Sequence, residues 1–106
     1  MCSISSNRAV PTERAIAATQ NIYSRSKVPP LIAANLEKGG NGIVTEGTLV
    51  GAPMEIAATD DIGMATKMAH ACAAEASAVG ANWAFAPIID IDTNYRNPIT
   101  NTRTFG

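Results

Sequence analysis

Residues 59–89, TDDIGMATKMAHACAAEASAVGANWAFAPII, decide the fold class that the sequence predicts. Thr59 and Asp60 can cap a helix at the start of this stretch, and Gly80 stands where a C-terminal helix glycine is expected. Between these ends the apolar residues recur at steps of three and four, which is the spacing of one helical stripe. The stripe consists of Ile62, Ala65, Ala69, Cys72, Ala76 and Val79.

Two apolar runs predict buried strands. The run from Trp83 to Ile89 follows the helix directly, and its Pro87 marks a bulge or the end of the strand. The earlier run, Leu31–Ala34, is apolar at every position, as expected of a parallel strand covered on both faces. A strand that follows a helix in each half of the chain indicates parallel α/β architecture.

The first half of the chain repeats the same order with a longer connection. Residues 12–26 predict a helix that Thr12 can cap and that two consecutive prolines end. Residues 38–58 are rich in glycine and predict a long connection with little regular structure. In parallel α/β proteins the long loops at the carboxyl ends of the strands carry the binding site, so we expect function there.

Composition excludes several classes of protein. The 106 residues suffice for one domain at most, and a net charge of −1 provides no basic field for nucleic acid. Cys2 and Cys72 are far apart and form no Cys-x-x-Cys pair, so neither a zinc site nor a redox motif is predicted. No apolar run suits a signal peptide or a membrane span. We therefore expect a cytoplasmic protein without a membrane contact or a cofactor.

The glycine cluster after the first strand does not match a nucleotide-binding motif. Gly39, Gly40 and Gly42 lack the spacing of a dinucleotide fingerprint and the Gly-Lys-Ser/Thr ending of a phosphate loop. We expect a mobile turn of an active site instead.

Five charged residues near the predicted strand ends are candidates for a site. Asp90 and Asp92 would point the same way about 6–7 Å apart in an extended segment. That spacing suits a metal or an inverting acid/base pair, whereas bracing of loop amides is the simpler interpretation. Arg96 and Arg103 lie in the last loop, where an arginine fork suits sugar hydroxyls or a carboxylate, and Glu37 follows the first strand. A solvated surface position is the alternative for these three residues.

Two ordered motifs resemble the family 3 glycoside hydrolases. Members carry a Phe-Ala-Pro-hydrophobic-hydrophobic-Asp strand end, then Asn-Pro and an Arg-Ser/Thr-Phe-Gly turn, and residues 82–106 contain each of these in order. Residues 30–40 are similar to the earlier Pro-Leu-Leu-Ile-Ala-x-Asp-x-Glu-Gly-Gly segment of the family. The Asn-Pro and Arg-Thr-Phe-Gly ending looks more like the β-N-acetylhexosaminidase branch than the β-glucosidase branch.

The resemblance implies a fold and a set of substrate contacts. The catalytic domain of the family is a (β/α)₈ TIM barrel, so residues 1–106 would supply two to three of its βα units, with Leu31–Asn35 and Phe85–Ile89 as neighbouring strands. Arg103 matches an arginine that contacts substrate in the family. Asn35 stands at an acidic substrate-binding position, and Lys38 is inserted before the glycines. Asn35 can bond a hydroxyl but carries no charge.

The resemblance also implies where the chemistry lies. The family uses a retaining mechanism with an aspartate nucleophile on a much later strand, which favours a structural role for Asp90. The Lys-His-Phe-Pro-Gly-His-Gly segment, the acid/base histidine and the nucleophile are expected downstream of Gly106. The chain would then hold no catalytic residue and be inactive alone, as part of an enzyme that cleaves β-linked N-acetylhexosaminides or related β-glycosides.

Two other functions stay open. One is a non-catalytic carbohydrate-binding or assembly module, and the other is a metal-dependent glycosyl or phosphoryl transferase that uses Asp90 and Asp92. A partial barrel exposes strand edges and apolar helix faces, so we expect the chain to associate with itself or with the remainder of the enzyme.

Overall fold

A computed structural model describes Cys2–Ser3 and residues 9–106. The described chain contains a parallel three-stranded sheet in the order β1-β2-β3, in which Cys2 pairs with Ile32 and Ala33 pairs with Trp83. The prediction of parallel α/β structure is therefore confirmed. The elements in chain order are β1 (Cys2–Ser3), α1 (Thr12–Arg25), β2 (Ile32–Ala34), a 3₁₀ turn (Gly40–Gly42), α2 (Pro53–Ala57), α3 (Ile62–Ala78), β3 (Trp83–Ala84) and a second 3₁₀ turn (Asn101–Arg103).

The N-terminal stretch carries one strand that the sequence pattern did not predict, β1. The expectation that this stretch is no signal peptide falls, apart from Cys2–Ser3, outside the described residues. Within the described part of the chain, no helix combines the length and the hydropathy needed to cross a bilayer.

Strand β2 is the centre of the core. All three of its residues are buried, and Ile32 is the largest side chain among them. Ala15 from α1 and Cys72 and Ala76 from α3 pack into the same cluster. Because most of these side chains are small, the helices can lie close to the sheet. Leu31, predicted to belong to this strand, precedes it and is exposed.

Helix α1 begins differently from the prediction. Pro11 holds the cap position, and Thr12 is the first helical residue. A carboxylate from a distant loop supplies the missing cap, because Glu46 Oε2 accepts the Thr12 N–H at 3.0 Å and the Thr12 hydroxyl at 2.8 Å. A partner 34 residues away cannot be read from local spacing.

Helix α3 confirms the main helical prediction, but its buried face is rotated from the predicted stripe. Met68 is buried together with Cys72, Ala76 and Val79, whereas Ile62 is 90% exposed and Ala69 is also exposed. The helix covers β2 with one face only, so its other apolar residues line an open hollow.

The ends of α3 follow ordinary capping chemistry. Asp61 is the N-cap, not Thr59 or Asp60, and its Oδ1 accepts the Gly63 N–H at 2.8 Å. Gly80 follows the helix with φ +86°, a left-handed conformation that glycine adopts without a Cβ penalty. The predicted glycine stop is therefore confirmed.

Strand β3 is much shorter and less buried than predicted. Only Trp83–Ala84 is strand, both residues are exposed, and Ile89 is 87% exposed. The Phe85 N–H still donates to Ala34 O at 2.8 Å, so the segment runs alongside β2 for one residue more. The prediction of a long buried strand fails because, in the described residues, β3 is an edge strand with no strand paired to its far side.

The connection over residues 38–58 contains more structure than predicted. It includes the 3₁₀ turn Gly40–Gly42 and the five-residue helix α2. Pro53 opens α2, where its missing N–H costs nothing, and the Glu55 carboxylate accepts the Ala52 N–H at 2.6 Å. The loop is thus folded on itself by local bonds.

The amino ends of β2 and β3 are joined by a polar network around Asn82. Its Oδ1 accepts the Ile32 N–H at 2.8 Å, and its Nδ2 donates to Pro30 O at 3.0 Å and to the Tyr23 hydroxyl at 3.1 Å. The Tyr23 hydroxyl donates in turn to Gly80 O at 3.1 Å. This network ties α1 to both strands at the end of the sheet opposite the candidate site.

Candidate functional site

The candidate site begins where β2 ends. Asn35, the residue after the strand, is exposed, and its Oδ1 accepts the Glu37 N–H at 3.3 Å in a tight turn. This turn leaves the Asn35 amide group in solvent and sends Glu37 back toward the loop that follows β3. The Asn35 bond orients the backbone of Glu37, and the long-range contact with Arg103 fixes its carboxylate.

An ion pair joins the two loops that follow β2 and β3. Arg103 Nε donates to Glu37 Oε2 at 2.9 Å, and Arg103 Nη2 donates to Glu37 Oε1 at 2.6 Å. The two residues are 66 positions apart in sequence. Arg103 Nη1 also donates to Ile99 O at 3.2 Å, which fixes the plane of the guanidinium. The structure thus brings together two residues that the sequence singled out separately.

The ion pair shifts the titration of both partners. The Arg103 hydrogen bond lowers the pKa of Glu37 below its ordinary value, against the opposing effect of partial burial, and Lys38 adds a smaller lowering. The Glu37 hydrogen bond raises the pKa of Arg103. Glu37 is therefore ionised at neutral pH and is an acceptor, not a proton donor.

The pair changes what Arg103 can bind. The bonds to Glu37 and Ile99 use three of the five N–H donors of a guanidinium, so two donors remain, one on Nη1 and one on Nη2. Glu37 occupies the Nε–Nη2 edge of the guanidinium, so the carboxylate at this edge belongs to the chain itself. The remaining donors suit single hydroxyl or carbonyl oxygens.

The two aspartates after β3 are not joined to this pair by any hydrogen bond in the described residues. Asp92 Oδ1 accepts the Asn94 N–H at 3.3 Å and the Thr100 hydroxyl at 3.4 Å, and the Asp92 N–H donates to Gly106 O at 3.1 Å. Asp90 is exposed. Among residues 9–106, no group of three or more His, Cys, Asp or Glu side chains is placed to hold a metal. Asp92 braces its own loop.

Arg96 also stays apart from the pair. Its Nε donates to the Tyr95 hydroxyl at 3.0 Å, and its guanidinium carbon lies 5.4 Å from the centre of the Tyr95 ring. Both side chains are exposed.

Sequence reasoning missed one residue beside the site, Glu75 of α3. Its carboxylate accepts the N–H and the hydroxyl of Thr48 in the glycine-rich loop, and it lies against Gly40. A signal existed, because Glu75 interrupts the apolar face between Cys72 and Ala76. A carboxylate at a half-buried helix position needs a partner.

An apolar hollow of about 390 Å³ adjoins the ion pair. Its walls are carbon-rich, and Glu37 is the charged residue at its rim. The Cys72 thiol faces Leu36 O at 3.8 Å, and burial raises the pKa of this thiol, with a further contribution from Glu75. The hollow offers almost no polar partner for a sugar hydroxyl, so it suits apolar side chains. The other lining residues include Pro53, Met68, Ala69, Ala86 and Phe105.

Comparisons with known proteins agree on one family. The family model described as "Glycosyl hydrolase family 3 N terminal domain" matches residues 4–106. The chain is 48% identical over 99 residues to a "Beta-N-acetylglucosaminidase/beta-glucosidase" of Cellulomonas fimi, which covers 93% of the chain and 18% of that protein. It is 36% identical over 88 residues to "Beta-hexosaminidase A" of Pseudoalteromonas piscicida, which covers 77% of the chain and 14% of that protein.

Two solved structures are similar to the chain in both sequence and fold. They are "Beta-glucoside phosphorylase BglX" and the same protein bound to 2FGlc, with TM-scores of 0.89 and 0.88 and 51% sequence identity. Each alignment covers 93% of the chain and 18% of the solved chain. The chain therefore spans less than one fifth of the length of each of these relatives.

Proposed function

Because the chain belongs to the family of glycosyl hydrolase family 3 N-terminal domains, a TIM-barrel type, we propose that its parent protein cleaves β-glycosidic bonds. Residues 1–106 would supply two to three βα units of the barrel. The observation that carries the proposal is the ion pair between Glu37 and Arg103, which joins the loops at the carboxyl ends of β2 and β3. Substrate sites of (β/α)₈ barrels lie at that end of the strands.

The proposed substrate is a β-linked N-acetylhexosaminide, with a β-glucoside as the related choice. The names of the Cellulomonas and Pseudoalteromonas relatives support this class. Arg103 would donate its two remaining N–H groups to sugar oxygens, and the exposed amide of Asn35 would donate to a hydroxyl. The charges of Glu37 and Arg103 cancel, so the pair suits an uncharged sugar better than an acidic one.

The proposed mechanism is retaining, with the reacting groups outside residues 1–106. An aspartate nucleophile and an acid/base histidine would lie downstream of Gly106 in the parent protein. The nucleophile would bond to the anomeric carbon while the acid protonates the leaving oxygen. The chain by itself would then bind sugar weakly and cleave nothing.

Phosphorolysis is a second candidate, favoured by the two solved relatives named as a β-glucoside phosphorylase. In that reaction an oxygen of inorganic phosphate, instead of water, would attack the anomeric carbon of the covalent intermediate and release the enzyme carboxylate. The product would be a glycosyl phosphate in place of a free sugar. The donors of Arg103 would serve either reaction, because they contact the sugar and not the acceptor.

The test is product analysis on the full-length parent with nitrophenyl β-N-acetylglucosaminide and β-glucoside, with and without inorganic phosphate. Free sugar in both conditions supports hydrolysis, whereas glycosyl phosphate that forms only with phosphate supports phosphorolysis. If the parent protein cleaves neither of the two glycosides, the proposal is contradicted. Sugar binding without cleavage would favour the binding-module alternative.

Substitution of Arg103 tests the site itself. We expect Arg103→Ala to lower kcat/KM about 10- to 100-fold, because a hydrogen bond from a charged donor contributes about 1.5–3 kcal/mol. Arg103→Lys should recover little, since lysine cannot make the bonds to Glu37 and the sugar together. Arg96→Ala is the matched control in the same loop and should leave kcat/KM unchanged. An Arg103→Ala enzyme as active as the control would remove Arg103 from the site.

A further inference from the structure

We propose that Glu75 of α3 is a positioning residue, which holds the glycine-rich loop so that Glu37 can hold Arg103 in the substrate site. The inference rests on the proposed function, because it assigns Glu75 a role in that same site. It adds a residue that makes no contact with Arg103 and that lies on the helix side of the loop.

The hydrogen bonds that the Glu75 side chain makes in the described residues go to the loop. Its Oε2 accepts the Thr48 N–H at 2.9 Å, and its Oε1 accepts the Thr48 hydroxyl. A Cβ built on Gly40 would overlap the Glu75 carboxylate, so the turn and the carboxylate are in close contact. One side chain thus holds both arms of the loop, at Gly40 and at Thr48.

The arms are joined to each other and lead to Glu37. The Asn41 N–H donates to Thr48 O at 3.4 Å, and Gly39 pairs with Leu49 in an isolated antiparallel bridge. Lys38 O accepts the N–H of Val50 at 2.8 Å. Lys38 is the neighbour of Glu37 in the chain, so a shift of the Thr48 arm moves the backbone that carries the Glu37 carboxylate.

The two-bond geometry between Arg103 and Glu37 makes the position of the guanidinium sensitive to such a shift. The bonds from Arg103 to Glu37 are 2.9 and 2.6 Å long, and a bidentate pair of this kind tolerates little displacement. If Glu37 moves, Arg103 loses two of its three anchors and its remaining donors point elsewhere. A misplacement of about 1 Å caused by a remote substitution can cost about 100-fold in rate.

The kinetic test uses the full-length parent with a nitrophenyl β-glycoside. Glu75→Ala should lower kcat/KM about 10- to 100-fold through a higher KM, as expected of a lost sugar contact. Glu75→Gln should restore most of the loss, because a glutamine amide can accept the Thr48 N–H and donate to its hydroxyl. Glu13→Ala, an exposed helix carboxylate without these contacts, is the matched control. In an Arg103→Ala background, Glu75→Ala should add less than about twofold, since both changes disable the same contact.

A merely structural role predicts a different pattern. A lower melting temperature with an unchanged KM in Glu75→Ala would overturn the inference, and so would losses that multiply fully with those of Arg103→Ala. Gly40→Ala provides a second route, because its new Cβ would overlap the Glu75 carboxylate and should push that carboxylate away from Thr48. It should raise KM in the wild-type background and do so much less in the Glu75→Ala background.

Hydrogen exchange separates this inference from the proposed function. If the wild-type parent cleaves no β-glycoside, the proposed function fails, and the exchange of residues 38–50 then decides the role of Glu75. Faster exchange of the Asn41 and Val50 amides in Glu75→Ala, with faster exchange of the Arg103 Nε–H by NMR, supports the inference. Unchanged exchange at these groups overturns it.

Discussion

Replacement of Asn82 by alanine should destabilise the fold more than any exposed polar substitution in the chain. The Asn82 side chain accepts the N–H of Ile32, a residue with no exposed surface, and donates to Pro30 O and the Tyr23 hydroxyl. Alanine removes the acceptor and both donors. Tyr23 keeps its bond to Gly80 O, and Pro30 is only partly buried, so that water can reach its carbonyl. The main cost therefore comes from the buried Ile32 N–H, which loses its acceptor.

The magnitude follows from these three bonds. A buried N–H without an acceptor costs about 1–3 kcal/mol, and each ordinary bond contributes about 0.5–1.5 kcal/mol. The two bonds from Nδ2 end on groups that keep another partner or reach water, so their loss adds little more than about 1 kcal/mol together. We expect a loss of about 2–4 kcal/mol in the free energy of unfolding, which corresponds to about 10 °C or more in melting temperature for a domain of this size.

Denaturant unfolding at one fixed protein concentration, followed by far-ultraviolet circular dichroism, measures this loss. Asn94→Ala is the matched control, because Asn94 is exposed and the hydrogen bond that its side chain makes in the described residues is the one it accepts from the Arg96 N–H in its own loop. It should cost about 0.5 kcal/mol or less. Asn82→Asp keeps an acceptor for Ile32 but sets a carboxylate oxygen against Pro30 O, so it should recover little at neutral pH. If Asn82→Ala is as mild as the control, water replaces the amide and the reasoning is refuted.

Three further predictions concern the Glu46 carboxylate that caps α1, the Cys72 thiol and the exposed apolar surfaces of the chain. Hydrogen bonds from Thr12 lower the pKa of Glu46 below its ordinary 4.5. The contact therefore stabilises the fold above pH 4.5, and this stabilisation is lost as the pH falls through the pKa that Glu46 has in the folded chain. NMR titration should show the Glu46 pKa rising toward 4.5 in Thr12→Val. Burial raises the pKa of Cys72, so in a Cys2→Ser variant it should be alkylated far more slowly in the folded chain than in denaturant, and equal rates would contradict its burial. The isolated chain exposes Phe85 and the apolar hollow, so sedimentation should show self-association, and a well-folded monomer would refute this.

The sequence predicted the elements whose signals are local. The period of α3, the stop at Gly80 and the apolar run of β2 each depend on neighbours within a few residues, and each was confirmed. Burial was harder to predict. The stripe that placed Ile62 and Ala69 inside assumes that every apolar face is covered, whereas α3 packs one face on the sheet and leaves another open.

The candidate site was also predictable only in part: its residues could be named from the sequence, but the contacts between them could not. Spacing and the family resemblance singled out Glu37 and Arg103, but the 2.6 Å contact between them depends on the paths of two loops that local patterns do not encode. The bonds from Thr12 to Glu46 and from Thr48 to Glu75 were not predicted for the same reason, since each joins residues 27 or more positions apart. Long-range partners of a carboxylate follow from tertiary structure alone.

The two ends of the sheet are held by different kinds of bond, and this difference suits a site at one of them. At the amino end, Asn82 joins β2 to its neighbours through bonds between an amide and the backbone, neither of which carries a titratable group. At the carboxyl end, the loops meet through the ionised pair of Glu37 and Arg103, and two guanidinium donors stay unused. A rigid neutral end can fix the strands while the charged end keeps donors available, so substitutions at Asn82 should act on stability and those at Arg103 on binding. Measuring both quantities for both variants would show whether the two ends are separable in this way.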